Sequence, residues 1–118
     1  VEQNVFEQFR SIALSLPGMV ESITHGTPSF KLKDKLLARF HQDGKSLALK
    51  TDFDTRDFLL QAHPDVYYIT DHYKDYPYIL VRMSVADMEE LKGLVHRTWK
   101  SLAPKKLLLE YEKLNPLS

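Results

Sequence analysis

The segment "LALKTDFDTRD", residues 47–57, carries the residue types of phosphoryl-transfer chemistry. An apolar run ends in D-x-D-x-T, here Asp52, Asp54 and Thr55, the pattern with which an aspartyl nucleophile and a magnesium ion engage a phosphate. That chemistry normally sits at the end of a central parallel strand. Just upstream, "DGKS" is a two-residue hairpin signal, because Asp43 and Gly44 tolerate positive φ angles, and a hairpin makes this strand antiparallel. The two aspartates therefore read as helix caps, which accept free backbone N–H groups and stabilise a helix start by about 1 kcal/mol.

The histidines are His25, His41, His63, His72 and His96, and no pair has the helical i, i+4 spacing of a zinc site. His63 with Asp65, or Asp71 with His72, could hold a metal only if the fold brought further ligands near. The chain contains no cysteine, which excludes disulfides and thiol chemistry, and it lacks a G-x-S-x-G, a P-loop and a dinucleotide fingerprint. The expectation is a protein that is not an enzyme, with no catalytic residue, no metal and no cofactor.

Tyrosine is concentrated. Tyr67, Tyr68, Tyr73, Tyr76 and Tyr78 fall in "YYITDHYKDYPY", beside His72, Lys74 and, a little later, Arg82. Such a cluster can stack bases or grip an extended partner, since a phenol has a flat apolar body and a polar tip. The plainer reading is β-propensity and packing in a twisted hairpin.

Elements must position these groups. Val5, Phe6, Phe9, Ile12, Ala13 and Leu16 recur at helical spacing up to Pro17 and Gly18, which predicts a first helix. In "HGTPSFKLKDK", "HGTP" reads as an irregular approach and "SFKL" as the first strand. Pairing outward from the "DG" turn sets Phe40 opposite Leu47 and Ala38 opposite Leu49. A three-residue turn of Lys33, Asp34 and Lys35 then sets Leu32 opposite Leu36 and Phe30 opposite Ala38 on the same apolar face. "TDFDTRDFLLQA" predicts a short helix burying Phe58, Leu59 and Ala62. "DVYYIT" and "YILVRM" predict strands four and five, and Ser84 with Asp87 resembles a capping box leading into a helix with Val85, Met88, Leu91, Val95, Trp99 and Leu102. Pro104 opens a last helix bearing Leu107, Leu108, Tyr111 and Leu114, and the tail "NPLS" is expected to fray.

The predicted order is α-βββ-α-ββ-α-α in one domain spanning residues 1–118. It forms an α+β two-layer sandwich, a five-stranded antiparallel sheet with helices on one face. The same register places Ser29, Arg39 and Ala48 in one row on the opposite face, and Lys31, Leu37 and Lys50 in the next, with Arg82 joining from strand five. Lys31, Arg39, Lys50 and Arg82, with Tyr73 and Tyr76 at the margin, are the candidate nucleic-acid-binding residues, since closely spaced cations can follow phosphate oxygens.

Sixteen basic and sixteen acidic residues cancel, so no overall positive field advertises such binding. No run approaches the roughly 18 apolar residues of a membrane span, and the start is a polar amphipathic pattern unlike a signal peptide. The expectation is a cytoplasmic protein without a membrane partner, and the missing initiator methionine suggests a processed or trimmed chain.

The joint pattern of Leu16-Pro17-Gly18, Pro28-Ser29-Phe30, the "DG" hairpin, His72-Tyr73 and Trp99 resembles the MmcQ/YjbR family over nearly the whole chain. One departure is Asp71, where the resemblance implies proline. The resemblance implies a fold akin to secretion-chaperone and CyaY-like two-layer sheets, and a DNA-binding role. It supplies no catalytic residue. Two functions follow as expectations: a non-enzymatic module binding DNA weakly through the basic sheet face, or a chaperone-like domain holding a partner peptide.

Overall fold

The structure, a computed structural model, describes residues 2–115. The order is α1 (Glu2–Leu14), β1 (Met19–Thr24), β2 (Thr27–Leu32), β3 (Lys35–Phe40), β4 (Ser46–Lys50), α2 (Phe53–Ala62), β5 (Tyr67–Tyr68), β6 (Tyr78–Arg82), α3 (Met88–Leu102) and α4 (Lys105–Leu114). The strands form one antiparallel sheet ordered β1-β2-β3-β4-β6-β5. The fold is therefore the expected α+β architecture, with six strands instead of five.

The additional strand is β1, and it exists because "HG" is a turn and not an irregular approach. His25 and Gly26 have φ of 52° and 82°, the left-handed pair of a type I′ hairpin, so Thr24 faces Thr27 and all six residues of "MVESIT" pair with β2. Pro28 is accordingly inside a strand. It has no N–H to give, and the β2/β3 ladder starts one residue later, at Ser29 opposite Arg39.

The second correction lies in β3. Phe30 faces Ala38 as predicted, but Lys31 faces Leu36 and Leu32 faces Lys35, so Leu37 is an inserted residue and the turn contains only Lys33 and Asp34. A bulge sets two consecutive side chains on one face. Leu37 and Ala38 both enter the helix-side core, where Leu37 is fully buried. Leu37 is thus not on the outer face between Lys31 and Lys50; burying a leucine side chain is worth about 2 kcal/mol, and the bulge makes that burial possible.

Between sheet and helices, Phe9, Phe30, Leu32, Leu47, Leu49, Ile79, Val81 and Trp99 form the main core. The predicted pairs Phe40–Leu47 and Ala38–Leu49 are present, but the turn between them is wider than the two residues expected: β3 ends at Phe40, β4 begins at Ser46, His41 N donates to Ser46 O at 2.9 Å, and of Asp43 and Gly44 only Gly44 has a positive φ, 72°. Asp52 caps α2, accepting from Thr55 N at 2.8 Å and Thr55 Oγ1 at 2.9 Å. That helix buries only Leu59. Phe58 is 67% exposed and Ala62 is exposed, because α2 packs on β5 and β6 and meets the core by a narrow stripe. The long helix starts later than predicted: Met83–Val85 is a single 3-10 turn, and Asp87 caps α3 by accepting from Glu89 N at 2.9 Å. In α4, Leu107, Leu108 and Tyr111 lean on the core while Leu114 is solvent-facing. Of the tail, Asn115 follows α4 and residues 116–118 lie outside the described part.

Candidate functional site

Strand alternation sends every second side chain away from the helices. The pairing aligns one such row across the whole sheet: Ser22, Ser29, Arg39, Ala48, Leu80 and Tyr68. Ser29-Arg39-Ala48 is the row the sequence predicts. Ser46 and Arg82 are paired on one side of it, and Lys50 and Tyr78 on the other.

This face is not bare. After β5 the chain turns back through a 3-10 turn, Asp71–Tyr73, and lays Tyr73 on Ala48 and Leu80, with Tyr68 and Tyr78 packed around them. Three of the five tyrosines therefore have a structural use on this face, where they build a second, smaller apolar cluster. Arg56, which sequence reasoning did not single out, pins this segment by donating from Nη1 to Lys74 O at 2.9 Å and Tyr76 O at 3.2 Å. Its spacing from Asp52 marks it only as a helix residue. Nothing local announces a partner some twenty residues away.

The cations sit among these rings. The Arg39 guanidinium is half-buried and donates to Thr27 Oγ1 at 3.1 Å and to Tyr73 Oη at 3.4 Å. Arg82 lies over the Tyr68 ring at 4.3 Å and donates to Pro64 O at 3.1 Å. Lys50 Nζ is 5.6 Å from the centre of the Tyr78 ring. Lys31 is half-buried on β2, between Val20 and Leu36. Tyr76 is 56% exposed, 6.5 Å from His72 ring to ring. Burial, then the neighbouring Tyr73, raises the Tyr78 pKa, so its phenol stays neutral at ordinary pH. The structure thus brings Arg39, Lys50, Tyr73 and Arg82 to one face. It leaves Tyr76 at the rim and separates Lys31 from the rest by the bulge.

At the sheet end of this face, Tyr68 Oη and Ser46 Oγ are 2.6 Å apart, and Ser46 Oγ is 3.1 Å from Asp43 Oδ2. Asp43 also accepts from Lys45 N and Ser46 N. Burial would raise its pKa, but these hydrogen bonds and nearby His41 outweigh it and hold the carboxyl low. Its oxygens are spent on the turn.

The phosphatase-like segment lies elsewhere. β4 is antiparallel to both neighbours, and Asp52 is occupied by Thr55, with Arg97 at 3.8 Å. Among the described residues, no group of three or more histidine, aspartate or glutamate side chains could hold a metal ion. A groove of about 580 Å³ between α1 and β3, lined by Phe6, Arg10, Phe40 and His41, is wide and open. Arg10 closes on Glu7 and Glu21 there, which leaves it no free charge to offer a ligand.

A two-layer domain with, among the described residues, four helices over an antiparallel sheet, and with basic and tyrosyl side chains on the face away from them, is the class these features define. The chain belongs to the YjbR family, whose family model matches residues 14–101. Uncharacterised proteins of Mycobacterium tuberculosis and Mycobacterium bovis are 36% identical to it over 50 residues, 42% of this chain and 39% of theirs. The chain thus matches about two-fifths of the length of these curated relatives. The crystal structure of Deinococcus radiodurans protein DR2400, a DUF419 domain, superposes with a TM-score of 0.70 over 96% of this chain and 88% of that one. At 23% identity that is a likeness of fold. Among the described residues no helix is long and apolar enough to cross a membrane.

Proposed function

We propose that this domain is a non-enzymatic, cytoplasmic binding module that holds nucleic-acid phosphates on the outer face of its sheet. The observation that carries the reading is the convergence of Arg39, Lys50 and Arg82 on one face, each set against a tyrosine ring or hydroxyl. Arg39 is pre-oriented by Thr27 and Tyr73, so less rotamer entropy is lost when it meets a phosphate oxygen. Lys31 adds a fourth cation beyond the bulge, and exposed Tyr76 offers a ring to an unpaired base at the rim. Such an arrangement neutralises backbone charge without reading base edges, which means weak and poorly selective binding.

Fluorescence anisotropy with duplex DNA across a salt series tests this. About four phosphate contacts give a slope of log K against log salt near −3 to −4, and removing one lysine flattens it by roughly 1. The Lys31→Glu, Lys50→Glu double variant is expected to lose binding and keep its fold. Equal affinity in the two proteins, or no wild-type binding at low salt, overturns the reading and favours a partner peptide laid along the Tyr73 and Tyr76 segment.

A further inference from the structure

We infer that the free edge of β1 pairs with β1 of a second copy of this chain, in an antiparallel register whose two-fold axis passes through Ser22. The two edges of the sheet differ. β5 is only two residues long, whereas β1 has six residues in continuous register, with no proline, lysine or bulge to discourage pairing. Two β-branched side chains stand free there: Val20 is 54% and Ile23 67% exposed.

The hairpin geometry says which backbone groups are available. A two-residue turn makes Thr24 and Thr27 the hydrogen-bonded closing pair, so by alternation Ser22 and Val20 also spend their N–H and C=O on β2. The same groups of Glu21 and Ile23 point outward. Met19 N is already used, donating to Leu16 O at 3.3 Å. An occupant must therefore offer matching groups to Glu21 and Ile23.

A second β1 does so in one symmetric register. With Ser22 on the axis, Glu21 exchanges both backbone bonds with Ile23 of the other copy, and Ile23 with its Glu21. On the outer face, Val20 then opposes Thr24, a favourable β-branched pair. The small Ser22 side chains meet at a non-hydrogen-bonded position, where Cα atoms approach to about 4.5 Å. Centring the axis on Glu21 instead opposes two carboxylates and asks for the amide of Met19. In the Ser22 register Glu21 is already balanced by Arg10, whose Nε and Nη2 lie 2.8 and 3.2 Å from its oxygens. Ile23 of the other copy covers that ion pair with its side chain.

The absence of cysteine makes the register directly testable in the whole chain. Under mild oxidation, Ser22→Cys is expected to form a disulfide dimer at least about tenfold faster than Val20→Cys or Thr24→Cys alone, because only position 22 meets itself within disulfide reach. A mixture of the latter two variants is expected to cross-link between positions 20 and 24. In sedimentation velocity up to about 1 mM the wild type is expected to dimerise, as suits a small interface, and Ile23→Glu, which faces Glu21 of the other copy, to remain monomeric. Two results overturn the inference. One is position 22 cross-linking no faster than position 24; the other is a dimer that Ile23→Glu leaves intact. Neither readout depends on what the outer face binds.

Discussion

The indole N–H of Trp99 donates to the carbonyl of Pro17 at 3.0 Å, tying the last turn of the long helix to the turn that starts the sheet. The ring itself is fully buried, and Tyr111 of α4 lies against it at 4.9 Å between centroids. One side chain therefore joins α3, α4 and the turn that leads from α1 into β1. Trp99→Ala is expected to cost about 3 to 5 kcal/mol in urea unfolding. Trp99→Phe keeps part of the volume but leaves the Pro17 carbonyl without its donor, adding about 1 to 3 kcal/mol to any packing loss. A midpoint unchanged in both variants contradicts this role.

The bulge in β3 gives adjacent leucines different fates. Leu37→Ala removes a fully buried side chain and is expected to cost about 2 to 5 kcal/mol. Leu36→Ala, at a half-buried position opposite Lys31, is expected to cost under about 1 kcal/mol. Chemical denaturation of the two variants side by side decides it. The reverse order would restore a bulge-free register with Leu37 outward.

The β1–β2 turn depends on left-handed backbone at Gly26, where an added Cβ meets open space. Gly26→Ala is thus a purely conformational penalty of about 1 to 2 kcal/mol. The amide spectrum should shift at β1 and β2 and stay in place for α3. Stability equal to wild type would show that the hairpin does not need this geometry.

Acid exposes the two structural aspartates. Asp52 has its carboxyl lowered first by the Thr55 amide, and Asp43 is low on balance through its turn hydrogen bonds. A folded pKa below the unfolded one gives stability that is present above the unfolded value, about 3.9, and disappears as pH falls through the folded one. The Asp43→Asn, Asp52→Asn double variant should therefore lose less stability than wild type between about pH 5 and pH 2. Parallel curves would remove both groups from the acid response.

If Asp52 is only a cap, Asp52→Asn changes stability by less than about 1 kcal/mol, since asparagine caps as well as aspartate. Magnesium-dependent hydrolysis of a generic phosphate ester by the wild type, lost in this variant, would restore the nucleophile reading.

The sequence by itself determined the two-layer α+β fold, the β3–β4 register around Asp43 and Gly44, an aspartate cap at the start of α2 and the burial of Trp99, while the structure decided that Asp52 is the cap and Asp54 a residue of the first turn. Each of these rests on a local signal: apolar period, a turn residue or a capping acid within a few positions. It also placed Arg39 and Ala48 in one outward row, because the wider turn keeps the centre of the expected two-residue one and alternation propagates unchanged from that centre. Only the tertiary structure decided the rest. The strand β1 escaped notice since its apolar residues Val20 and Ile23 are exposed and its turn uses histidine where asparagine is the familiar signal. The Leu37 bulge was invisible because an inserted residue costs local hydrogen bonds and is recovered only by burial against helices far along the chain. For the same reason, the tyrosine cluster could not be divided from sequence alone: Tyr73 covers Leu80 and the distant Ala48 of β4, whereas Tyr76 remains at the rim, and that cross-strand contact separates their roles.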